Sequence, residues 1–248
     1  MFVSVLRVVG LATVLAAVMA SLLPASARVP AAAPVLPRVA EALAARTPLS
    51  IVAFGSSSTE GIGATSPAAT YPSRLQVELG NAVPKLPVIV INRGRGGEDA
   101  EDMARRLPAI IAQHPDLVIW QTGTNDALHD LPVERFVALT RAGIIAMRAA
   151  GIDVMLIEPQ LCAAMQAKPG SLGYRDAVRA IGAELGVPVI RRYDLMQAWL
   201  SKGLLNRVQL LSGDGLHMTD GGYALLAKEV ARTILADADS PCTIAGAD

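Results

Sequence analysis

Residues 49–61 read Leu49-Ser50-Ile51-Val52-Ala53-Phe54-Gly55-Ser56-Ser57-Ser58-Thr59-Glu60-Gly61, an apolar run that stops abruptly in small hydroxylated residues flanked by glycines. A short apolar run closed by turn formers reads as a buried strand ending in a polar turn. The same pattern recurs downstream. Residues 50–54, 88–91, 117–121, 154–158 and 187–190 are strand candidates, and helical patterns cover 71–80, 100–112, 133–150, 171–185 and 221–236. Strands alternating with longer amphipathic stretches predict an α/β fold: a mostly parallel five-stranded sheet with helices on both faces, and function at the carboxyl ends of the strands.

Upstream of this region the chain changes character. Arg7 precedes an apolar run over 8–23, followed by Pro24-Ala25-Ser26-Ala27. A charged start, a hydrophobic segment and an Ala-x-Ala site form the pattern of an export signal, with cleavage expected after Ala27. The run is shorter than the roughly 20 residues a spanning helix needs, so no stable membrane anchor is expected after cleavage. The expected organisation is a signal peptide over 1–27, an Ala/Pro-rich linker over 28–48 in which 38–46 form a short helix, a domain over 49–237 and a tail over 238–248.

The chain carries 22 basic and 22 acidic side chains. Loss of 1–27 removes Arg7 and no acid, leaving the protein near neutral. No basic stretch interleaves with aromatics, which argues against nucleic acid as a partner. Cys162 and Cys242 are the only cysteines. An oxidising compartment permits a bridge between them, but the last helix carries the chain about 24 Å away and the tail returns only about 20 Å. A disulfide and two separate thiols stay equally open.

Four segments at expected strand ends carry chemistry. The first is the Ser56-Ser57-Ser58 turn, which is not a Gly-x-Ser-x-Gly elbow because Thr59 stands where the second glycine belongs. The second is Asn92-Arg93-Gly94-Arg95-Gly96-Gly97, where glycines allow close backbone approach to a ligand and free amides suit a negative oxygen. Neither a Gly-Lys-Ser/Thr nor a Gly-x-Gly-x-x-Gly pattern is present. The third is Gly123-Thr124-Asn125-Asp126, which offers a side-chain amide donor to an oxyanion. The fourth is Asp214-Gly215-Leu216-His217, whose spacing places a carboxylate beside an imidazole. Taken singly, each also reads as an ordinary turn or cap.

Together, in this order, they resemble the blocks of the SGNH (GDSL-like) hydrolases, a family of esterases, over 49–236. The resemblance implies a flavodoxin-like three-layer sandwich. It implies Ser57 as nucleophile, His217 as base, Asp214 as the orienting acid, and the Ser57 and Gly97 amides with the Asn125 side chain as oxyanion hole. Ser56 departs from the family, which usually has Asp there. That departure affects support of the turn more than chemistry and leaves Ser56 and Ser58 as alternative registers; Ser57 keeps Thr59 and Gly61 at the family's positions. No cofactor or metal is implied.

The expected activity is hydrolysis of short-chain or O-acetyl esters by an exported, periplasmic or secreted enzyme, acting on a small ester or an acylated glycan. An O-acyltransferase or glycan deacetylase on the same residues and a non-catalytic domain of the same fold are the alternatives. Leu128, His129 and Met165 are candidate substrate contacts, with Leu131, Leu161 and Leu172 as further candidates for an acyl pocket.

Overall fold

The computed structural model describes residues 35–239. The expected signal peptide, residues 28–34 of the expected linker, the tail from residue 240 and Cys242 lie outside the described residues, and with Cys242 the disulfide question. In chain order the elements are α1 (Pro37–Ala45), β1 (Leu49–Gly55), α2 (Ser57–Glu60), a 3-10 turn (Pro67–Ala69), α3 (Tyr71–Ala82), β2 (Val88–Gly94), α4 (Ala100–Ile111), β3 (Leu117–Gln121), α5 (Thr124–Leu128), α6 (Val133–Ala149), β4 (Asp153–Ile157), α7 (Ala163–Ala167), α8 (Leu172–Leu185), β5 (Val189–Ile190), α9 (Arg192–Ser201), α10 (Arg207–Leu210) and α11 (Asp220–Asp239).

All five strands are parallel, in the order β2-β1-β3-β4-β5. This is the flavodoxin-like order, with its switch point where β1 leads to both neighbours. Side chains alternate across the sheet. Ile51, Ala53, Leu117, Ile119, Met155 and Ile157 meet α1, α3, α9 and α11 on one face. Val52, Phe54, Val118, Trp120, Val154 and Leu156 meet α4, α6 and α8 on the other. Burial on both faces explains why the strands read as unbroken apolar runs.

Mid-helix Gly143 is needed for this packing, because a methyl there would lie 2.6 Å from the Trp120 ring. The expected linker behaves differently from the reading above. Its helix α1 buries Val39 and Ala42, with Leu36 just ahead of it, in the core. The Asp153 carboxylate accepts from the amides of Arg38 and Val39, capping a helix start that lacks a cap of its own. The packed unit therefore begins upstream of residue 49.

β5 is shorter than expected: Val187 turns into the core and Pro188 contributes only its carbonyl, to the Leu156 amide. α9 goes unrecognised in the sequence, because it opens on Arg191-Arg192-Tyr193-Asp194 and buries its arginine instead of exposing it.

Candidate functional site

Three of the four chemical segments follow strands, β1, β2 and β3; the fourth, Asp214–His217, was expected at a strand end but lies in the loop between α10 and α11. β1 delivers Ser56 to the start of α2, with Ser57 as the first residue of that helix. An amide there has no acceptor one turn back, so the Ser57 N–H is available to a ligand oxygen. The Gln121 side-chain oxygen, at the end of β3, accepts from the Ser56 amide (3.0 Å), the Ser56 hydroxyl (3.1 Å) and the Thr59 hydroxyl (3.2 Å). Ser56 is thereby anchored and buried, and the Ser57 hydroxyl is left to His217.

His217 lies on a short loop closed by the Ser212 amide donating to the His217 carbonyl, with an isolated bridge between Leu211 and Met218. Asp214 Oδ1 accepts from the Ser212 hydroxyl (2.7 Å), the Leu216 amide (2.9 Å) and the His217 amide (3.0 Å), and Oδ2 lies 2.6 Å from His217 Nδ1. Desolvation alone would raise this carboxyl, but the hydrogen bonds from the His217 ring, Ser212 and the two amides outweigh it and hold it well below the usual carboxylate range. An ionised Asp214 fixes the proton on Nδ1, so Nε2, 2.8 Å from Ser57 Oγ, faces the hydroxyl as an acceptor.

In the loop after β2, Gly97 takes a left-handed φ of +79° that an L side chain would resist. Asn125 Nδ2 donates to the Glu98 carbonyl at 2.8 Å, tying the side-chain amide to the loop that carries Gly97. Asp126, fully buried, links the same two segments from below, accepting from the amides of Ala100 and Gly123. Burial raises its carboxyl to about 6 against those hydrogen bonds.

Gly94 serves a purpose other than the expected ligand approach. A methyl there would lie 2.0 Å from the Glu60 amide nitrogen, so the glycine lets β2 press on the backbone of α2. The Glu60 carboxylate accepts from the Gly96 amide at 2.7 Å and pins the loop from the other side.

The candidate substrate residues do not form one pocket. Leu128 and Met165 share a small apolar cluster with Ala127 and Cys162 that reaches Leu216, beside His217. Met165 is packed within it and buried. His129 is exposed, its Nδ1 3.7 Å from Asp99. Leu161 belongs to the core on the α11 face, Leu131 packs on the opposite core and Leu172 is exposed.

Glu60, Gln121, Gln160, Arg192 and Ser212 were not singled out from the sequence. Gln160 Oε1 accepts from Thr124 (2.9 Å) and from buried Arg192 (2.5 Å), and its amide donates to the Leu216 carbonyl (3.4 Å). Apart from Ser212, which bonds to Asp214 two residues on, these roles are revealed only by contacts far apart in the chain. Among the described residues no cluster of His, Cys, Asp and Glu could hold a metal, and no helix is long and apolar enough to cross a membrane.

The fold is shared with ester-cleaving proteins. A two-domain esterase active on acetylated mannans superposes with a TM-score of 0.69 at 19% identity, over 86% of this chain and 56% of that one. The chain thus spans just over half of that protein's length. A lipase/acylhydrolase from Enterococcus faecalis gives a TM-score of 0.62 at 26% identity over 76% of this chain and 96% of that one. A catalytic mutant of an acetylxylan esterase from Geobacillus stearothermophilus gives 0.62 at 19% identity, over 78% and 96%. No curated protein sequence matches. The profile of the Non-GDSL lipase-like family matches residues 24–240. The chain belongs to the Non-GDSL lipase-like family, and its fold is that of the SGNH-type esterases.

Proposed function

We propose that the protein is an exported serine esterase that hydrolyses short-chain or O-acetyl carboxylic esters at Ser57. The observation that carries this reading is the continuous relay from Asp214 Oδ2 through His217 to Ser57 Oγ, with contacts of 2.6 and 2.8 Å. His217 Nε2 takes the hydroxyl proton as Ser57 Oγ bonds to the carbonyl carbon. The oxyanion is held by the Ser57 and Gly97 amides and the Asn125 side chain. On collapse the bond to the alcohol oxygen breaks and His217 returns its proton to that oxygen. Water, deprotonated by His217, then releases the acid and restores Ser57.

Similarity to esterases of acetylated mannan and xylan favours acylated glycans as substrates. The apolar run and Ala-x-Ala site at the N-terminus support export to the periplasm or medium.

The test is hydrolysis of p-nitrophenyl acetate, butyrate and octanoate by residues 28–248. Turnover that falls with chain length supports the reading. A folded protein inactive on all three, and on acetylated oligosaccharides, would contradict it.

A further inference from the structure

Resting on the esterase reading, we infer that Glu98 and Arg106 are the positioning pair of the oxyanion hole, setting two of its three donors at once and registering them to the strand that delivers Ser57.

Glu98 follows Gly97 directly in the chain, so the place of its backbone governs the aim of the Gly97 peptide. Its carbonyl also accepts from Asn125 Nδ2 at 2.8 Å. A primary amide carries two hydrogens on one planar nitrogen, so holding the first on the Glu98 carbonyl fixes where the second points. A shift of Glu98 therefore moves the Gly97 and Asn125 donors together, while the Ser57 amide stays behind on α2.

Arg106, on α4, holds Glu98 against the ends of two strands. Its Nε lies 3.2 Å from Glu98 Oε2, and Arg95 Nε lies 3.6 Å from Oε1. Arg106 Nη2 donates to the Arg93 carbonyl at 2.6 Å, near the end of β2. Its guanidinium also lies over the Phe54 ring, 5.0 Å from the centroid, and Phe54 stands on β1 three residues ahead of Ser57. A planar, forked cation can stack, donate to a carbonyl and face a carboxylate together; a lysine ammonium cannot.

Stability alone does not account for the pair. Glu98 is buried and Arg106 largely so. Neither Glu98 Oε2 nor Arg106 Nε has an aligned hydrogen bond among the described residues. Burial raises the Glu98 carboxyl and lowers the Arg106 guanidinium, each against the attraction of the other. Apolar residues of similar volume often stabilise a fold as well as such a pair does. What they cannot supply is a directed link from β1 and β2 to the loop that carries Gly97.

The test measures p-nitrophenyl acetate turnover, and inhibition by 1,1,1-trifluorobutan-2-one, which a serine nucleophile converts to a tetrahedral oxyanion. Glu98→Gln keeps the side chain's shape and Arg106→Lys its charge; both are assayed below their melting temperatures, singly and together. Deleting one oxyanion donor costs about 100–1,000-fold in kcat, so misaiming two should lower kcat by roughly tenfold or more in each single variant, with KM little changed. The inhibition constant of the ketone should rise by the same factor, and the double variant should lose no more than the worse single one. Unchanged kcat in the folded variants, a wild-type inhibition constant where kcat has fallen, or single losses that multiply in the double variant would overturn the positioning role and leave the esterase reading standing. A wild type that turns over no ester would remove both.

Discussion

The Gln121 side-chain oxygen accepts from both the amide and the hydroxyl of Ser56, so a glutamine on the neighbouring strand supports the turn that carries Ser57. Removing this acceptor strands three buried donors, counting the Thr59 hydroxyl, at a cost of about 1–3 kcal/mol for each one left unpaired. Gln121→Leu should lower stability by about 3 kcal/mol or more, by urea unfolding, and reduce kcat with little change in KM. Wild-type stability in that variant would contradict the anchoring role.

Two glycines of the loop after β2 should fail in different ways. In Gly94→Ala the added methyl meets the backbone of α2, which cannot yield without moving Ser57. The expected loss is about 1–3 kcal/mol of stability, with most of the activity. A methyl on Gly97 meets no atom within 4 Å, but its φ is left-handed, so Gly97→Ala should cost about 1–2 kcal/mol and lower kcat by misaiming one amide. Melting temperature and kcat, measured together, separate the two.

Gln160 joins the Asn125 turn, the His217 loop and buried Arg192. Desolvation lowers the Arg192 guanidinium to about 10, and its remaining bond is to the Glu158 carbonyl. Gln160→Leu leaves more of that charge unanswered, so a loss of about 2–3 kcal/mol is expected. Gln160→Glu, which restores an acceptor, should recover much of it.

Asp153, which caps α1, has its carboxyl raised to about 6 by burial, against the hydrogen bonds from Val39 and Arg38. The folded protein therefore binds this proton more tightly than the unfolded chain does. The resulting stability is fully present below about pH 4 and is lost as the pH rises through about 6. Relative to Asp153→Asn, which keeps an oxygen acceptor without titrating, the wild type should lose about 1–2 kcal/mol between pH 4 and 6.5. A constant difference across that range would contradict the shift.

The strands and longer helices were legible because their apolar runs and amphipathic periods are local. The third strand was placed to the residue, and the starts of the helices at Tyr71, Ala100 and Val133 were found. The short helices at Ser57 and Thr124 were hidden because one helical turn of Ser, Thr and Asn looks like a polar turn. Helix α1 was read as part of a linker because its Ala-rich composition gives no hint that Asp153, more than a hundred residues away, caps it. At the site, the segments bearing Ser57, Gly97 and Asn125 were readable from the types of residue at strand ends, and that bearing His217 from the spacing of Asp214 and His217, although it follows a helix and not a strand. Glu60, Gln121 and Gln160 were not, because their roles come from pairings that only the folded sheet creates.

The most direct measurement is to treat the protein with diethyl p-nitrophenyl phosphate, which phosphorylates an activated serine, and to locate the adduct by peptide mass spectrometry. A single adduct on Ser57, formed with loss of esterase activity and slowed a thousandfold or more in His217→Ala, is expected. An adduct on Ser56 or Ser58, or labelling of Ser57 at the same rate without His217, would contradict the relay seen in the structure.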